Sequence, residues 1–501
     1  MQGIHKVFGD NIALHDVDFH CHQGEVVCLL GENGAGKTTL MKILYGMYRK
    51  DAGEILFRGT SQMMTSPRVA ISAGIQMVHQ HFMLVDTMSV VDNVMIGKEP
   101  GKNLFYDRVK GHQIVESLSK EYGLKVPMNK LVRDISIGER QRVEIIKALY
   151  QGTDVLILDE PTAVLTPQEV EDLFLVIRNL CSNGKTVIII THKLKETMAI
   201  SDRIYVLRQG KMVGDRRVEE TNIEELSQMM VGQAIPKSKK TRFYSDEYIL
   251  KMKGVRHVDS DGVEVLKGVD LEIKKQEVLG IAGVEGNGQA ELIDVLYGLL
   301  PQWSGEILFC GHPLCGKTTM QLIDEGMACI HADRQAYSIA PNLTIPYNLL
   351  MGAQDKEKYR ENRFLINWKK VKEDARKILD EFDVRPRDIE RNLYEFSGGN
   401  QQKFVVGRET GRNPKLLIAA HPTRGVDIMA TSAIHTHLHR LKASGISVLL
   451  ITSDLDELME LSDRIAVIYD GKIVQTKLAE EFSMMELGRL MGGGRQDEKA
   501  I

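Results

Sequence analysis

The sequence has no apolar run of the roughly 18 residues that a membrane-spanning helix requires. Its six cysteines form no Cys-x-x-Cys pair, so neither a disulfide framework nor a zinc site of ordinary spacing is expected. The net charge of −4 gives no general attraction to nucleic acid or anionic lipid. With 501 residues, 43% of them hydrophobic, the composition is that of a globular protein of two or more domains in a reducing cytoplasm.

Internal repeats indicate two copies of one domain. The segment LYGMYRKDAGEILFRG at 44–59 recurs 252 positions later as LYGLLPQWSGEILFCG at 296–311, and further repeats have an offset of 261. A polar, basic stretch with a proline separates the copies. The predicted parts are a first domain at 1–232, a linker at 233–247, a second domain at 248–492 and a flexible tail at 493–501.

Each half alternates apolar runs such as VVCLL and TVIIIT with helical stretches such as TPQEVEDLFLVIRNL. This alternation is typical of an α/β domain with a mainly parallel sheet covered by helices. Two β-runs before the first glycine-rich loop predict an added antiparallel subdomain. The stretches at about 88–150 and 340–410 are predicted to be mainly helical.

Two stretches fit the phosphate-loop pattern G-x-x-x-x-G-K-[ST], GENGAGKTT at 31–39 and GHPLCGKTT at 311–319. The first follows the apolar run VVCLL and opens a helix, where backbone N–H groups and the helix N-terminus can bind phosphate. The second aligns in the repeat with a turn, and Pro313 has no N–H to donate. We interpret it as a surface turn, and the repeat gives GVEGNGQAE at 283–291 as the second half's counterpart.

The first loop carries the groups that ATP and Mg²⁺ require. The Lys37 ammonium can reach the β- and γ-phosphates, and the Thr38 hydroxyl can bind Mg²⁺. The run LILDEPT ends a hydrophobic strand with two acids, of which Asp159 can hold Mg²⁺ through water and Glu160 can deprotonate the attacking water. The predicted phosphate-binding set is Gly31, Glu32, Asn33, Gly34, Ala35, Gly36, Lys37, Thr38 and Thr39.

Each half also has a serine–glycine turn that opens a helix, within ISIGERQRVEI at 135–145 and FSGGNQQKFVV at 396–406. A helix N-terminus of this kind can bind an anion. The first version has Ile137 and Glu139 where the second has glycine and asparagine. The predicted anion-binding residues of the second turn are Ser397, Gly398, Gly399 and Asn400.

The chain resembles the ATP-binding-cassette ATPases over nearly its whole length. The resemblance lies in the phosphate loop, the serine–glycine signature turn and LILDEPT, which occur in the order typical of the family and have counterparts in the second half. The resemblance implies two P-loop NTPase domains in tandem, each with a RecA-like core, an antiparallel β subdomain and a helical subdomain. It also implies that ATP binds between the phosphate loop of one half and the signature turn of the other. The implied roles are adenine stacking for Phe8, contact with Mg²⁺ and the membrane subunit for Gln80, and the switch histidine near the γ-phosphate for His192.

The residues alone leave alternatives open for two of these assignments. An aromatic side chain such as Phe8 more often packs in a core than on a ligand. A histidine such as His192, taken by itself, is more often structural. His79 and His81 are interpreted as structural neighbours, because no Cys/His spacing suggests a metal ligand.

The second half has lost the polar groups that would bind Mg²⁺ or activate water. It retains Asp427 in PTRGVD, where the first half has Thr166. We therefore predict one hydrolytic site, formed by the first phosphate loop with the second signature turn and Asp427, and one site that does not turn ATP over. The replacements, by offset, are Lys37 by Gln289, Thr38 by Ala290, Gln80 by Ala332, Asp159 by Ala420, Glu160 by His421 and His192 by Ser453.

The segments HPTRGVD, GVEGNGQAE and SGGNQQK resemble the ATPases of simple-sugar and nucleoside importers, and VHQHFMLV favours the nucleoside branch. The resemblance implies an ATPase, a translocase subunit, on the cytoplasmic face of the cell membrane. Its implied partners are integral-membrane permease subunits and, indirectly, an extracytoplasmic substrate-binding protein, with no nucleic acid. His331, Ala332 and His421 depart from the family pattern. The alternative is a tandem ATPase that acts on ribosomes or nucleic acid.

Overall fold

The structure is a computed structural model that describes residues 1–9, 11–32, 34–80, 82–102, 105–162, 165–232, 245–362 and 364–493. The chain divides into two compact units, Met1–Ile235 and Pro236–Ile501. Four sequence predictions lie outside the described residues: the phosphate-loop residue Asn33, the structural interpretation of His81, positions 233–244 of the linker and positions 494–501 of the tail. Among the described residues, no helix is both long enough and apolar enough to cross a bilayer.

Strands and helices are interspersed along the first unit from its third strand onwards. The strands are β1 (Gln2–Phe8), β2 (Asn11–Val17), β3 (Val26–Leu30), β4 (Ala52–Glu54), β5 (Leu56–Phe57), β6 (Thr60–Ser61), β7 (Ile75–Val78), β8 (Gly101–Lys102), β9 (Phe105–Tyr106), β10 (Val155–Asp159), β11 (Thr186–Thr191), β12 (Arg203–Arg208) and β13 (Lys211–Arg217). The helices are α1 (Lys37–Leu44), α2 (Pro67–Ala73), α3 (Val90–Met95), α4 (Arg108–Tyr122), α5 (Ile137–Tyr150), α6 (Pro167–Ser182), α7 (Leu194–Ile200) and α8 (Ile223–Val231).

The central sheet of the first unit has the strand order β13-β12-β3-β11-β10-β7. Its strands are parallel except for β13, which is antiparallel to β12. A separate sheet, β2-β1-β4, is antiparallel in both pairings. The helices α3, α4 and α5 lie between β7 and β10 in the chain and form most of the predicted helical region.

The apolar run VVCLL is continuous because β3 is buried on both faces. Val26 and Cys28 belong to one hydrophobic cluster, and Val27 and Leu29 belong to another. Side chains alternate between the two faces of a strand, so a strand covered on both sides needs apolar residues at every position. Burial of each such side chain stabilises the folded state by about 1.5–3 kcal/mol. The two clusters therefore hold the strand in place, and with it the start of the polar loop that follows.

Helix α6 shows how the local sequence sets an element's position. Thr166 and Glu169 form a reciprocal capping box, and a proline occupies the first turn. The buried residues of α6 recur at the spacing of one helical face, so the helix packs on the sheet with its charged face outward. These residues are Leu173, Val176, Ile177 and Leu180.

The second unit has a similar order of elements. Its strands are β14 (Tyr248–Val258), β15 (Glu264–Lys274), β16 (Val278–Ala282), β17 (Ser304–Phe309), β18 (His312–Pro313), β19 (Met327–Ile330), β20 (Leu416–Ala420), β21 (Ser447–Ile451), β22 (Arg464–Tyr469) and β23 (Lys472–Leu478). Its helices are α9 (Gln289–Leu296), α10 (Thr319–Glu325), α11 (Arg334–Tyr337), α12 (Ile345–Leu350), α13 (Trp368–Glu381), α14 (Gly398–Thr410), α15 (Ile428–Ala443), α16 (Leu455–Leu461) and α17 (Met484–Met491).

The central sheet of the second unit has the order β19-β20-β21-β16-β22-β23, with β23 antiparallel to β22 and the rest parallel. The predicted α/β class is confirmed in both units. The second phosphate-loop match, GHPLCGKTT, begins in a turn and continues through the exposed short strand β18. That strand pairs antiparallel with β17, so the segment lacks the buried parallel strand that precedes a phosphate loop.

Candidate active site

The candidate active site lies where three neighbouring parallel strands of the first unit end. Strand β11 pairs with β3 on one side and with β10 on the other. In this register Thr191 pairs with Leu30, and Asp159 pairs with Ile190. The phosphate loop, the acidic pair and the switch-histidine loop therefore leave the same sheet edge, where α/β proteins bind their ligands.

The phosphate loop wraps around the Lys37 ammonium. Lys37 is 5% exposed, and its Nζ donates to the backbone oxygens of Gly31 at 2.6 Å and Glu32 at 3.0 Å. Gly36, the N-cap of α1, has φ 103°, and a Cβ there would lie 2.7 Å from the Ala13 oxygen. Glycine is required at this position because both the conformation and the space exclude a side chain.

Two adjacent carboxyl groups have opposite pKa shifts. Burial and the charge of Glu160 raise the pKa of Asp159 to about 6, although the Thr38 hydroxyl hydrogen-bonds to it. Burial by itself raises the pKa of Glu160, but the hydrogen bond and charge of His192 and the charge of Lys37 outweigh it, so that pKa is lowered. Glu160 is therefore the carboxylate that stays ionised and can accept a proton from water.

Glu160 has a strained backbone, and its side chain contacts two predicted partners. Its φ is 49°, which is unfavourable for a long side chain, and its N–H donates to the Ile190 oxygen at 2.9 Å. Glu160 Oε1 lies 3.0 Å from His192 Nδ1, and Gln80 Nε2 donates to Oε2 at 3.4 Å. The structure thus brings together the three residues predicted to act in catalysis.

The oxygen-bearing side chains of the acidic pair and its neighbours fit a divalent cation. The Thr38 hydroxyl bonds to the Asp159 carboxylate, and the Gln80 amide lies against Glu160, so the site offers the hard oxygen ligands that Mg²⁺ prefers. Among the described residues, no three His, Cys, Asp or Glu side chains are grouped as metal ligands. A cation here would therefore take several ligands from the nucleotide's phosphates and from water.

Phe8 lies on the surface. It is 42% exposed, its ring meets the Tyr48 ring edge-on at a centroid distance of 5.3 Å, and Lys6 Nζ lies 5.2 Å from its centroid. Packing in a core, the alternative considered for Phe8, is therefore wrong. Stacking on adenine stays a prediction.

Three residues next to the acidic pair, Thr162, Lys193 and Glu196, form a hydrogen-bonded cluster that we call the bracket. The sequence analysis did not predict it. Lys193 Nζ donates to the Thr162 oxygen at 3.0 Å and to Glu196 Oε1 at 3.0 Å, and the Thr162 hydroxyl donates to Glu196 Oε2. The repeat offers a signal, because at the offset of 261 Thr162 and Glu196 recur as Thr423 and Glu457.

In the second unit, the loop that corresponds to the phosphate loop binds its own glutamine. Gln289 Nε2 donates to the Val284 oxygen at 2.9 Å, and its Oε1 accepts from the Asn287 N–H at 3.1 Å. That N–H is one of the loop donors that a phosphate would otherwise use. The neutral amide thus satisfies the loop without the charge that Lys37 provides in the first unit.

The backbone after β20 retains the form of the catalytic turn while its chemistry is lost. His421 has φ 46°, and its N–H donates to the Ile451 oxygen at 2.7 Å, as Glu160 does to Ile190. Burial and the charge of Arg424 lower the pKa of His421, which favours the neutral form of the ring. The preceding Ala420 is fully buried, and Ser453 is exposed.

The two signature turns differ in charge. In the first, Ser136 and Glu139 form a capping box, with the Ser136 N–H donating to Glu139 Oε2 at 2.8 Å. In the second, Ser397 caps α14, Asn400 Nδ2 donates to Ser397 Oγ at 2.9 Å, and the first turn has no acidic residue. A carboxylate therefore occupies the positive end of α5, whereas α14 presents its positive end without one.

Asp427 has a structural task within its own unit. Its carboxylate caps α15 by accepting from the Ala430 N–H at 2.7 Å, and Lys403 Nζ lies 3.9 Å from it. In the first unit Thr166 caps the corresponding helix α6. The predicted contribution of Asp427 to ATP binding stays a prediction.

Comparison with known proteins assigns the family. A family model described as "ABC transporter" matches residues 14–163 and 266–424, one segment in each unit. The chain belongs to the ABC transporter family. Membership makes it an ATP-binding ATPase, and it confirms the predicted tandem of ABC ATPase domains.

Two relatives that match over nearly the full length are named as import ATP-binding proteins. A guanosine import ATP-binding protein of Bacillus subtilis (strain 168) is 42% identical, over 99% of this chain and 98% of the relative. A nucleoside import ATP-binding protein of Lactococcus lactis subsp. cremoris is 39% identical, over the same 99% and 98%. A solved structure of an archaeal ribosome recycling factor with a stalk protein has TM-score 0.63 over 99% of this chain and 94% of that one, but at 20% identity it shows the fold alone.

Proposed function

We propose that this ABC ATPase hydrolyses Mg·ATP at the phosphate loop of its first unit to drive nucleoside import through separate permease subunits. The observation that carries the proposal is the meeting of Lys37, Glu160, His192 and Gln80 at one sheet edge, where the second unit retains none of the four. The full-length similarity to nucleoside and guanosine import ATP-binding proteins supports the direction and the cargo class.

Each residue has a task that its environment supports. Lys37 binds the β- and γ-phosphates with a buried ammonium, and the loop N–H groups and the N-terminus of α1 add to the positive potential. Glu160, whose pKa is lowered, accepts the proton of the attacking water, and His192 holds the carboxylate in position at 3.0 Å. Phe8 supports adenine from the exposed end of β1.

The cation site and the signature turn complete the proposed chemistry. Thr38, Asp159 and Gln80 would hold Mg²⁺, which when bound neutralises phosphate charge as the γ-phosphoryl group is transferred. The second unit's signature turn, with Ser397 as its cap, would contact the same nucleotide, because α14 has no acidic residue in its first turn. The remaining residues proposed to contact ATP with it are Gly398, Gly399, Asn400 and Asp427.

The proposed partners follow from the family and the relatives. The described residues include no helix able to cross a membrane, and import requires one, so we assign the crossing to integral-membrane permease subunits. We place the chain on the cytoplasmic face of the membrane, with an extracytoplasmic substrate-binding protein as an indirect partner. A ribosomal role has less support, because the full-length relatives at 42% and 39% identity are named as import proteins, whereas the ribosome recycling factor is 20% identical.

The ATPase assignment is tested on the purified full chain by steady-state phosphate release. Glu160→Gln should lower kcat about 10²-fold or more, because the general base is lost while the shape is kept. The matched control is His421→Gln in the second unit, which should leave the rate within about twofold because no acid–base role is assigned there. Equal rates for Glu160→Gln and the wild type would contradict the site assignment.

The cargo is tested by uptake of labelled guanosine, uridine and ribose in cells that carry or lack this gene and its permease genes. Uptake of nucleosides that requires the intact chain, and is lost with Glu160→Gln, supports the proposal. ATP-dependent uptake of ribose without nucleoside uptake would contradict the nucleoside assignment and leave the ATPase assignment standing.

A further inference from the structure

The bracket of Thr162, Lys193 and Glu196 joins two loops that hold the proposed catalytic groups. Thr162 lies two residues after Glu160, and Lys193 directly follows His192. Lys193 Nζ is bonded at 3.0 Å both to the Thr162 backbone oxygen and to Glu196 Oε1. The ammonium is therefore a direct link between the segment after Glu160 and the switch-histidine loop.

The bracket is half-buried. The Lys193 side chain is 35% exposed and that of Glu196 is 21% exposed. The Thr162 residue is buried, and its hydroxyl donates to the second oxygen of the same glutamate. Glu196 thus receives a hydrogen bond at each oxygen, and a charged hydrogen bond in a partly desolvated place holds its partners more firmly than a surface pair.

The second unit provides an internal comparison, because it retains the threonine–glutamate half of the bracket and has lost the lysine. Thr423 Oγ1 donates to Glu457 Oε1 at 2.8 Å, which reproduces the Thr162–Glu196 contact. At the position of Lys193 it has Asp454, whose carboxylate accepts from the N–H groups of residues 456 and 457 as the cap of α16. The residue after Ser453, which stands at the position of His192, is therefore acidic where the first unit has a lysine.

A different residue supplies the cation for Glu457, namely His435, whose pKa the adjacent Glu457 and Glu460 raise to about 9. His435 Nε2 lies 3.2 Å from Glu457 Oε1, and His435 is on α15 rather than on the switch loop. The corresponding residue of the first unit is Phe174. A cation against this glutamate thus persists in both units, but only the unit with the catalytic residues takes it from the residue after the switch histidine.

We propose that Lys193 is a positioning residue for ATP hydrolysis, which fixes the segment after Glu160 against the loop that carries His192. The proposal rests on the proposed function, since it takes Glu160 and His192 as the catalytic pair. A purely structural need for a cation is met in the second unit by His435. The Thr–Glu contact is present in both units, so it does not require a cation on the switch loop. The cation lies on that loop in the unit that has Glu160 and His192.

The test compares variants of the purified full chain for kcat, KM for ATP and the midpoint of thermal unfolding. Lys193→Met should lower kcat about tenfold or more, the scale of one charged hydrogen bond, while KM changes less than about twofold. Lys193→Arg should recover most of the rate, because guanidinium can also donate to both oxygens. Asp454→Asn, the matched change in the second unit, keeps the helix cap and should leave kcat within about twofold.

The outcomes separate this inference from the proposed function. If Glu160→Gln is inactive while Lys193→Met retains a wild-type kcat, the positioning role is wrong and the site assignment stands. If Glu160→Gln is active, the site assignment itself fails. A lowered kcat for Lys193→Met that Lys193→Arg does not restore, or an equal loss in Asp454→Asn, also overturns the positioning role. Should Lys193→Met not fold, Lys193→Gln is measured in its place with the same expected loss and the same refutation.

Discussion

The stability of the second unit is predicted to depend on pH through a buried histidine. His435 is 6% exposed and lies 3.2 Å from Glu457 Oε1 and 3.3 Å from Glu460 Oε2. Burial by itself lowers the pKa of His435, but the hydrogen bonds and charges of the two glutamates outweigh it and raise that pKa to about 9. The folded protein therefore holds this proton more tightly than the unfolded chain, whose histidine pKa is about 6.5.

The sign and size of the effect follow from this shift. A raised pKa contributes stability that is fully present below about pH 6.5 and is lost as the pH rises through about 9. The difference between those two values is worth roughly 3 kcal/mol at 1.36 kcal/mol per unit. We expect the free energy of unfolding of the second unit to fall by an amount of this order across that range.

The assay is urea denaturation of the full chain at several pH values between about 6 and 10. It compares wild type with His435→Phe, which places the first unit's residue at this position. The stability difference between the two should shrink as the pH rises. His22→Phe, a change at an exposed histidine of the first unit, is the control and should leave the pH dependence intact. A stability difference that stays constant from pH 6 to pH 10 would refute the assigned ion pair.

Three further predictions concern the nucleotide. Phe8→Ala should raise KM for ATP about fivefold with little change in kcat or in thermal stability, because the side chain is 42% exposed and its expected task is stacking. Phe8→Trp is the control, and an unchanged KM in Phe8→Ala would contradict the stacking role. Lys37→Met should weaken binding of a fluorescent ATP analogue about tenfold or more in equilibrium titration, since the ammonium proposed to bind the β- and γ-phosphates is lost; binding at wild-type strength would place the nucleotide elsewhere. Gln289→Lys should leave the ATPase rate unchanged, because Ala420 and His421 still provide no catalytic carboxylate; a doubled or larger rate would show that the second loop lacks only its lysine.

The sequence by itself determined the elements and the chemical inventory of the site. Continuous apolar runs such as VVCLL specified buried parallel strands, and glycines before a Lys-Thr pair specified a phosphate loop. The internal repeat was decisive, because its two offsets aligned each catalytic residue of the first half with its replacement in the second. Local periodicity and turn chemistry act over a few residues, so they can be recognised in the sequence. A repeat in addition shows which positions of the two halves are equivalent, and this needs no knowledge of the three-dimensional structure.

Tertiary structure decided the contacts between residues distant in the chain. The exposure of Phe8, the seating of the Gln289 amide in its own loop and the bracket through Lys193 depend on how strands and loops pack. The lysine contact joins positions 31 residues apart, and the pairing of Gln80 with Glu160 joins positions 80 apart. Helix and strand periodicities relate residues only a few positions apart. The sheet register brings these side chains together, because strands that are far apart in the chain end at the same edge.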